Sequence, residues 1–106
     1  MPRRTEADPI AIQIGARIRQ LRQELNLTQE KLAYEAGLKS KGHLSGIEKG
    51  LVVPTIPTLA LIAERMGVEL IDLVTFPENS ERHALVDLTR SMKTGTLRRL
   101  VREARG

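Results

Sequence analysis

The stretch Thr28–Gly50, TQEKLAYEAGLKSKGHLSGIEKG, decides the fold of this chain because it predicts two short helices joined by a glycine turn. Thr28 suits the N-cap position of the first helix, and Gly37 is placed to end that helix. The second helix begins at residue 40 or 41 and ends at Gly50, since glycine readily adopts the left-handed backbone conformation. Together these signals predict a helix-turn-helix.

The two faces of the second helix differ in chemistry. Leu44, Ile47 and Glu48 point inward at helical spacing, so we expect them to contact the rest of the domain. The opposite face is small, polar and basic, and it consists of Lys41, Gly42, Ser45, Gly46 and Lys49. A face without bulky apolar groups suits the major groove of DNA.

Helical periodicity continues on both sides of this stretch. A helix begins at Pro9 and continues to Leu25, with Asn26 as its stop, and its apolar face is made of Ile10, Ile14, Ile18, Leu21 and Leu25. On or beside its polar side lie Arg17, Arg19 and Arg22. After the stretch, Thr55 or Thr58 caps a fourth helix that ends at Gly67, and residues 69–73 form a short fifth helix.

Residues 1–9 are polar and show no periodicity, which predicts a flexible N-terminal arm. Arg3 and Arg4 in this arm either reach an adjacent minor groove or belong to a frayed terminus. Residues 10–77 then form the helix-turn-helix domain, and residues 78–106 form a C-terminal extension.

Length and composition limit the class of protein. A chain of 106 residues with 41% hydrophobic and 28% charged residues builds one small domain, or one domain with an appendage. No run reaches the ~18–20 apolar residues that a membrane span needs, and the N-terminus lacks the pattern of a signal peptide. The absence of cysteine excludes a disulfide framework, and we expect a protein of the bacterial cytoplasm.

The net charge of +4 is unevenly distributed. Residues 10–50 hold seven Lys or Arg against four acids, residues 51–79 hold one against four, and residues 80–106 hold seven against three. This uneven distribution is typical of a protein that binds DNA phosphates with one face, although an ordinary solvated surface can have the same numbers of charged residues.

Residues for catalysis are missing from the sequence. It has no grouping of Ser, His and acid and no phosphate-binding glycine loop, and His43 and His83 are far apart without a nearby cysteine. We therefore predict no enzyme activity, no metal and no cofactor. With Tyr34 and Phe76 as the aromatic residues, stacking platforms for single-stranded nucleic acid are also missing.

The extension predicts two short helices separated by Thr94-Gly95-Thr96. The first has an apolar stripe of Leu85, Leu88 and Met92, and the second has Leu97, Leu100, Val101 and Ala104. Opposite the second stripe lie Arg98, Arg99, Arg102 and Arg105. Such a basic amphipathic extension packs on the domain, extends a dimer interface, or binds a membrane or additional DNA.

An ordered set of motifs resembles one family. The motifs are Thr28-Gln29, Leu32-Ala33, Gly37, Leu44-Ser45, Ile47-Glu48-x-Gly50, Pro54-Thr55 and Leu59. Over residues 12–76 they resemble the lambda Cro and repressor family, the Xre type, and within it the restriction-modification controller proteins. The resemblance implies an all-α, five-helix DNA-binding domain, here followed by an extension of one or two short helices. Controllers usually end near Pro77, so the extension departs from them.

The resemblance also implies roles for particular residues. Arg22 would pair with Glu48, Thr28 and Gln29 would contact a phosphate, and Lys41 and Ser45 would contact bases. The implied DNA-contacting set is Thr28, Gln29, Lys39, Ser40, Lys41, Gly42, His43, Ser45, Gly46, Lys49 and Thr55. The implied dimer interface is Leu70, Ile71, Leu73, Val74 and Phe76.

Two features depart from the family pattern. One more residue than usual separates Gly37 from Gly50, so the turn is longer and the assignments at residues 39–42 shift by up to one position. Gly42 and Gly46 occupy positions expected to carry long side chains. Either they let the backbone approach the groove, or Gly42 belongs to the turn and Gly46 is a surface glycine.

Two functions follow from these patterns. The first is a sequence-specific transcriptional regulator that binds double-stranded DNA as a homodimer on a palindromic operator. The second is an antitoxin or adaptor that binds a protein partner through residues 80–106 and regulates its own gene secondarily.

Overall fold

The computed structural model describes residues 8–106, and within that part the chain forms seven α-helices. They are α1 Pro9–Glu24, α2 Gln29–Glu35, α3 Lys41–Glu48, α4 Ile56–Met66, α5 Leu70–Leu73, α6 Glu81–Thr89 and α7 Thr94–Arg105. The predicted all-α class is confirmed. Arg3, Arg4 and most of the predicted arm lie outside the described residues, and Pro9 is already the first residue of α1.

The chain divides into two compact units, one up to Val74 and one from Thr75 to Gly106. This division lies close to the boundary proposed between residues 77 and 78. The first unit contains α1 to α5 and the second contains α6 and α7. No helix in the described part of the chain is long and apolar enough to cross a membrane.

Side-chain caps define where the helices begin. Thr28 Oγ1 accepts the backbone N–H of Lys31 at 3.1 Å, and Ser40 Oγ accepts that of His43 at 3.2 Å. Each bond satisfies one of the N–H groups that a helix start leaves without an intrahelical partner. The positions of α2 and α3, and therefore of the turn between them, follow from these two caps.

The core of the first unit is made by side chains from all five of its helices. Its fully buried large residues are Ile18, Leu21, Leu32, Leu44, Ile47, Ile62 and Leu73. The apolar face predicted for α1 is wrong at its ends, since Ile10 and Leu25 are exposed. Ala11 and Gly15 are buried instead, so the inward face begins one position later.

The first helix crosses the end of α3 at very short distance. A Cβ atom on Gly15 would lie 2.6 Å from the carbonyl oxygen of Glu48, and one on Gly50 would lie 2.8 Å from the Cα of Ile12. Gly50 also has a φ of 77°, a backbone conformation that residues other than glycine rarely adopt. Both glycines are therefore needed for the backbone of α1 to approach the end of α3.

A buried arginine connects α1 to α5. Arg17 is 3% exposed, and its Nε donates to the carbonyl oxygen of Asp72 at 2.8 Å. The Asp72 carboxylate in turn accepts the backbone N–H of Glu69 at 2.9 Å, which caps α5. The sequence placed Arg17 on or beside the polar side of α1 but did not predict that this long-range contact buries its side chain.

The second unit begins with an aromatic contact. The backbone N–H of Phe76 donates to Nδ1 of His83 at 2.8 Å, and the two rings stack with their centroids 5.8 Å apart. The predicted break at Thr94-Gly95-Thr96 is wrong, because Thr94 is the first residue of α7 and residues 90–93 make the break. Lys93 is the N-cap of α7, with extended backbone.

Candidate nucleic-acid interface

A buried hydrogen-bond network fixes α3 to α1 and α2. Arg22 Nε donates to Glu48 Oε2 at 2.7 Å and Arg22 Nη2 donates to Glu48 Oε1 at 3.1 Å, so the ion pair has two points of contact. The remaining Nη1 donates to the carbonyl oxygen of Leu27 at 2.8 Å. Gln29 Nε2 also donates to Glu48 Oε1, at 2.9 Å.

This network has a consequence for Gln29. Its side-chain amide nitrogen is already bound to the buried Glu48 carboxylate, so Gln29 connects the start of α2 to the end of α3. The sequence implied only a phosphate contact for this residue. The structure adds a positioning role that the spacing of 19 residues did not reveal.

A polar groove of about 560 Å³ opens beside the network, among α1, α2 and α3. It brings together five of the predicted DNA-contacting residues, namely Thr28, Gln29, Lys41, Ser45 and Lys49. Its other lining residues are Arg19, Arg22, Glu30 and Glu48. The groove is therefore a candidate site for the backbone and base edges of DNA.

The accessible charge of the groove is mainly positive. Arg19, Lys41 and Lys49 are exposed, whereas the Glu48 carboxylate is neutralised by Arg22. Glu30 adds one exposed carboxylate, whose Oε1 lies 3.6 Å from the Nζ of Lys41. Sequence reasoning did not include Arg19 or Glu30 in the site. The position of Arg19 on or beside the polar side of α1 could have indicated that Arg19 belongs to the site.

The other predicted contacts lie outside the groove. Lys39, Ser40 and Gly42 are exposed around the start of α3, where the Ser40 hydroxyl acts as N-cap. Thr55 is the N-cap of α4, and its hydroxyl donates to Thr58 Oγ1 at 3.0 Å. His43 is half-buried, and its Nδ1 is buried without a hydrogen-bond partner among the described residues.

Gly46 corrects the prediction for the outward face of α3. This residue is buried, and its carbonyl oxygen accepts the N–H groups of Leu51 at 2.9 Å and Val52 at 3.1 Å. The chain after α3 folds back at this point. Gly46 therefore offers little surface to a groove of DNA, and its backbone carbonyl stabilises the turn that follows α3.

The predicted interface residues separate into two groups. Ile71 and Val74 are exposed and Leu70 is half-buried, so these three offer an apolar surface at α5. Leu73 is 0% exposed because it belongs to the core of its own unit. Phe76 lies in the second unit, where it is buried and stacks on His83. Leu73 and Phe76 therefore offer no surface to a partner.

The comparison with known proteins gives the class of this chain. The sequence profile of the helix-turn-helix family matches residues 18–73, just over half of the chain. The chain therefore belongs to the helix-turn-helix family of the Cro/repressor, or Xre, type, a family of DNA-binding transcription regulators. The predicted family is confirmed.

Individual proteins agree with this class. An uncharacterised helix-turn-helix-type transcriptional regulator of Sinorhizobium fredii, y4dJ, is 39% identical over 62 residues, which are 58% of this chain and 79% of that protein. The structure of the restriction-modification controller protein C.AhdI from Aeromonas hydrophila has a TM-score of 0.57 and 28% identity, over 59% of this chain and 94% of the controller. A chain of the SinR–SinI protein complex has a TM-score of 0.62 and 28% identity, over 87% of this chain and 94% of that chain. The relatives are transcriptional regulators rather than enzymes.

Proposed function

We propose that this protein is a sequence-specific transcriptional regulator that binds double-stranded DNA with α3 in the major groove. The observation that carries the proposal is the basic groove, in which Lys41 and Ser45 of α3 and its C-cap Lys49 lie beside Thr28 and Arg19. A helix presented with polar and basic side chains fits a major groove, which is wide enough to admit it. Because the DNA of a bacterial cell lies in its cytoplasm, a regulator that binds this DNA acts in the bacterial cytoplasm.

The residues of the groove divide into two roles. Lys41 is at the start of α3, the end of a recognition helix that reads base edges, and it can donate to O6 or N7 of guanine. Ser45, one turn further on, can pair with several bases. Lys49 at the end of α3, Thr28 and Arg19 contact phosphates and position the helix without reading sequence.

Replacing Lys41 with alanine is expected to relax sequence preference, because it removes a base contact worth ~1–3 kcal/mol. Replacing Lys49 with alanine is expected to weaken binding to all duplexes similarly and to lower the salt slope by about one unit. Both changes are measured by titrating an enriched duplex and a scrambled one at several salt concentrations. Lys31→Ala is the matched control, since Lys31 is an exposed lysine on α2 outside the groove. Equal behaviour of the Lys41 and Lys49 variants would contradict this division of roles.

We further propose that the protein binds a palindromic operator as a homodimer. The apolar surface of Leu70, Ile71 and Val74 at α5 supports this, because an isologous interface needs one self-complementary patch. Two recognition helices related by a two-fold axis then meet half-sites about 34 Å apart, one turn of DNA.

A second candidate function is that of an antitoxin or adaptor, in which the second unit binds a protein partner. Leu100 and Val101 of α7 and Leu85 and Leu88 of α6 are exposed, and short amphipathic helices need a partner surface. The likeness to a chain of the SinR–SinI complex supports this candidate, since it covers 87% of this chain and so includes part of the second unit.

The molecular mass in solution shows whether α5 or the second unit forms the dimer interface. If α5 forms the dimer, Ile71→Glu is expected to give a monomer, because it places a charge in an apolar interface. The double change Leu100→Glu and Val101→Glu then leaves the dimer intact. The control is Tyr34→Glu, which adds a charge at a highly exposed position on α2. A monomer from the α7 variant and a dimer from the Ile71 variant would assign dimerisation to the second unit.

A further inference from the structure

We infer that Glu30 raises the sequence specificity of this protein by competing with DNA phosphates for Lys41 unless a matching base is present. This inference rests on the proposed DNA-binding function and names a specificity-determining residue at the same site. It concerns an acidic residue in a groove whose other exposed charges are positive. A carboxylate without a partner at this place would oppose DNA binding by repelling phosphate.

The geometry places Glu30 and Lys41 on opposite sides of the turn. Glu30 is in the first turn of α2 and Lys41 is the first residue of α3, and their Oε1 and Nζ atoms are 3.6 Å apart. Their side chains are 75% and 59% exposed, and both residues line the groove. Among the described residues that line the groove, Glu30 is the one exposed carboxylate, because Glu48 is buried against Arg22.

The strength of this ion pair decides what Lys41 does on DNA. An exposed pair contributes at most about a fivefold factor to an equilibrium, whereas a good base contact contributes roughly five- to 150-fold. Lys41 therefore leaves Glu30 when guanine O6 and N7 are within reach. On a sequence without these acceptors, Glu30 and the DNA phosphates compete for Lys41, because one exposed pair and one phosphate contact are of similar strength.

The consequence is a selective penalty on the wrong DNA. While Lys41 is paired with Glu30, its charge does not release a counterion from a phosphate, so non-specific binding loses part of one cationic contact. In the specific complex Lys41 is already on its base, so the cost of Glu30 is smaller there. Glu30 thus widens the difference between the two affinities, which is what specificity measures.

The test uses the full chain with Glu30→Gln, which removes the charge and keeps the shape of the side chain. The probe is a fluorescent duplex of random sequence, about 20 base pairs long, titrated by anisotropy across salt concentrations. We expect the affinity to rise roughly two- to fivefold and the salt slope to become steeper by up to about one unit. Glu35→Gln is the control, because Glu35 is a paired, exposed carboxylate on α2 that does not line the groove. If the two variants bind random duplex equally, the inference is overturned.

Two further measurements test the mechanism. In a Lys41→Ala background, Glu30→Gln is expected to give little gain, and an equal gain would show that Glu30 repels phosphate without acting through Lys41. On a duplex enriched by the wild-type protein, Glu30→Gln is expected to gain less than on random duplex, and an equal gain would overturn the claim on specificity. If the wild-type protein enriches no sequence, the proposed function fails, while the random-duplex comparison still decides whether Glu30 restrains Lys41.

Discussion

Replacing Arg22 with alanine is expected to lower the free energy of unfolding by about 3–5 kcal/mol, because it leaves a buried carboxylate without its partner. The Glu48 side chain is 2% exposed and receives two hydrogen bonds from Arg22. Chemical denaturation measures this loss. DNA affinity is also expected to fall, since the same network holds Gln29 and the end of α3 at the groove.

The double variant Arg22→Met and Glu48→Leu is the control for this prediction. Replacing a buried ion pair by apolar residues of similar volume is often neutral or stabilising, so the double variant is expected to recover most of the lost stability. A loss below about 1 kcal/mol for Arg22→Ala would mean that the pair behaves like an exposed one. That result would contradict the rigid attachment of α3 to α1.

Replacing Gly15 with alanine is expected to be nearly as damaging, although it adds only one methyl group. The new Cβ would lie 2.6 Å from the carbonyl oxygen and 2.8 Å from the carbonyl carbon of Glu48, and backbone atoms cannot rotate away. Overpacking of this kind costs about 1–3 kcal/mol, which lowers the melting temperature by ~4–8 °C per kcal/mol in a small domain. Thermal unfolding followed by circular dichroism measures the change.

Gly95→Ala is the matched control for this helix glycine. Gly95 lies in α7, and a Cβ there meets nothing within 4 Å, so alanine is expected to leave stability unchanged or to raise it by up to about 1 kcal/mol. If Gly15→Ala and Gly95→Ala have the same melting temperature, α1 does not depend on close approach to α3.

Local signals in the sequence predicted the elements well because helix ends depend on nearby residues. Thr28 caps α2 as expected, and Thr55, one of the two predicted caps, is the N-cap of α4. Helix α3 begins at Lys41, within the predicted start, and ends at Glu48, two residues before Gly50. These features require only the chemistry of one turn of chain. The groove also combines Thr28 and Lys49, which the family resemblance implied as DNA contacts.

Burial was less predictable, because it depends on residues distant in sequence. Arg17 is buried by a bond to residue 72, and Leu73 belongs to the core rather than to a surface. Gly46 is buried where the chain folds back after α3, and the helical periodicity of α3 alone does not predict this turn. The pairing of Glu30 with Lys41 joins two helices, and it was not visible from either alone.

Selection from random duplex DNA at about 150 mM salt tests most directly whether this protein recognises a DNA sequence as a dimer. Bound duplexes are recovered and sequenced. The expected result is an enriched palindrome whose half-sites are about ten base pairs apart. An absence of enrichment, with binding that only fades as salt rises, would contradict such recognition and identify the contact as non-specific attraction to phosphate.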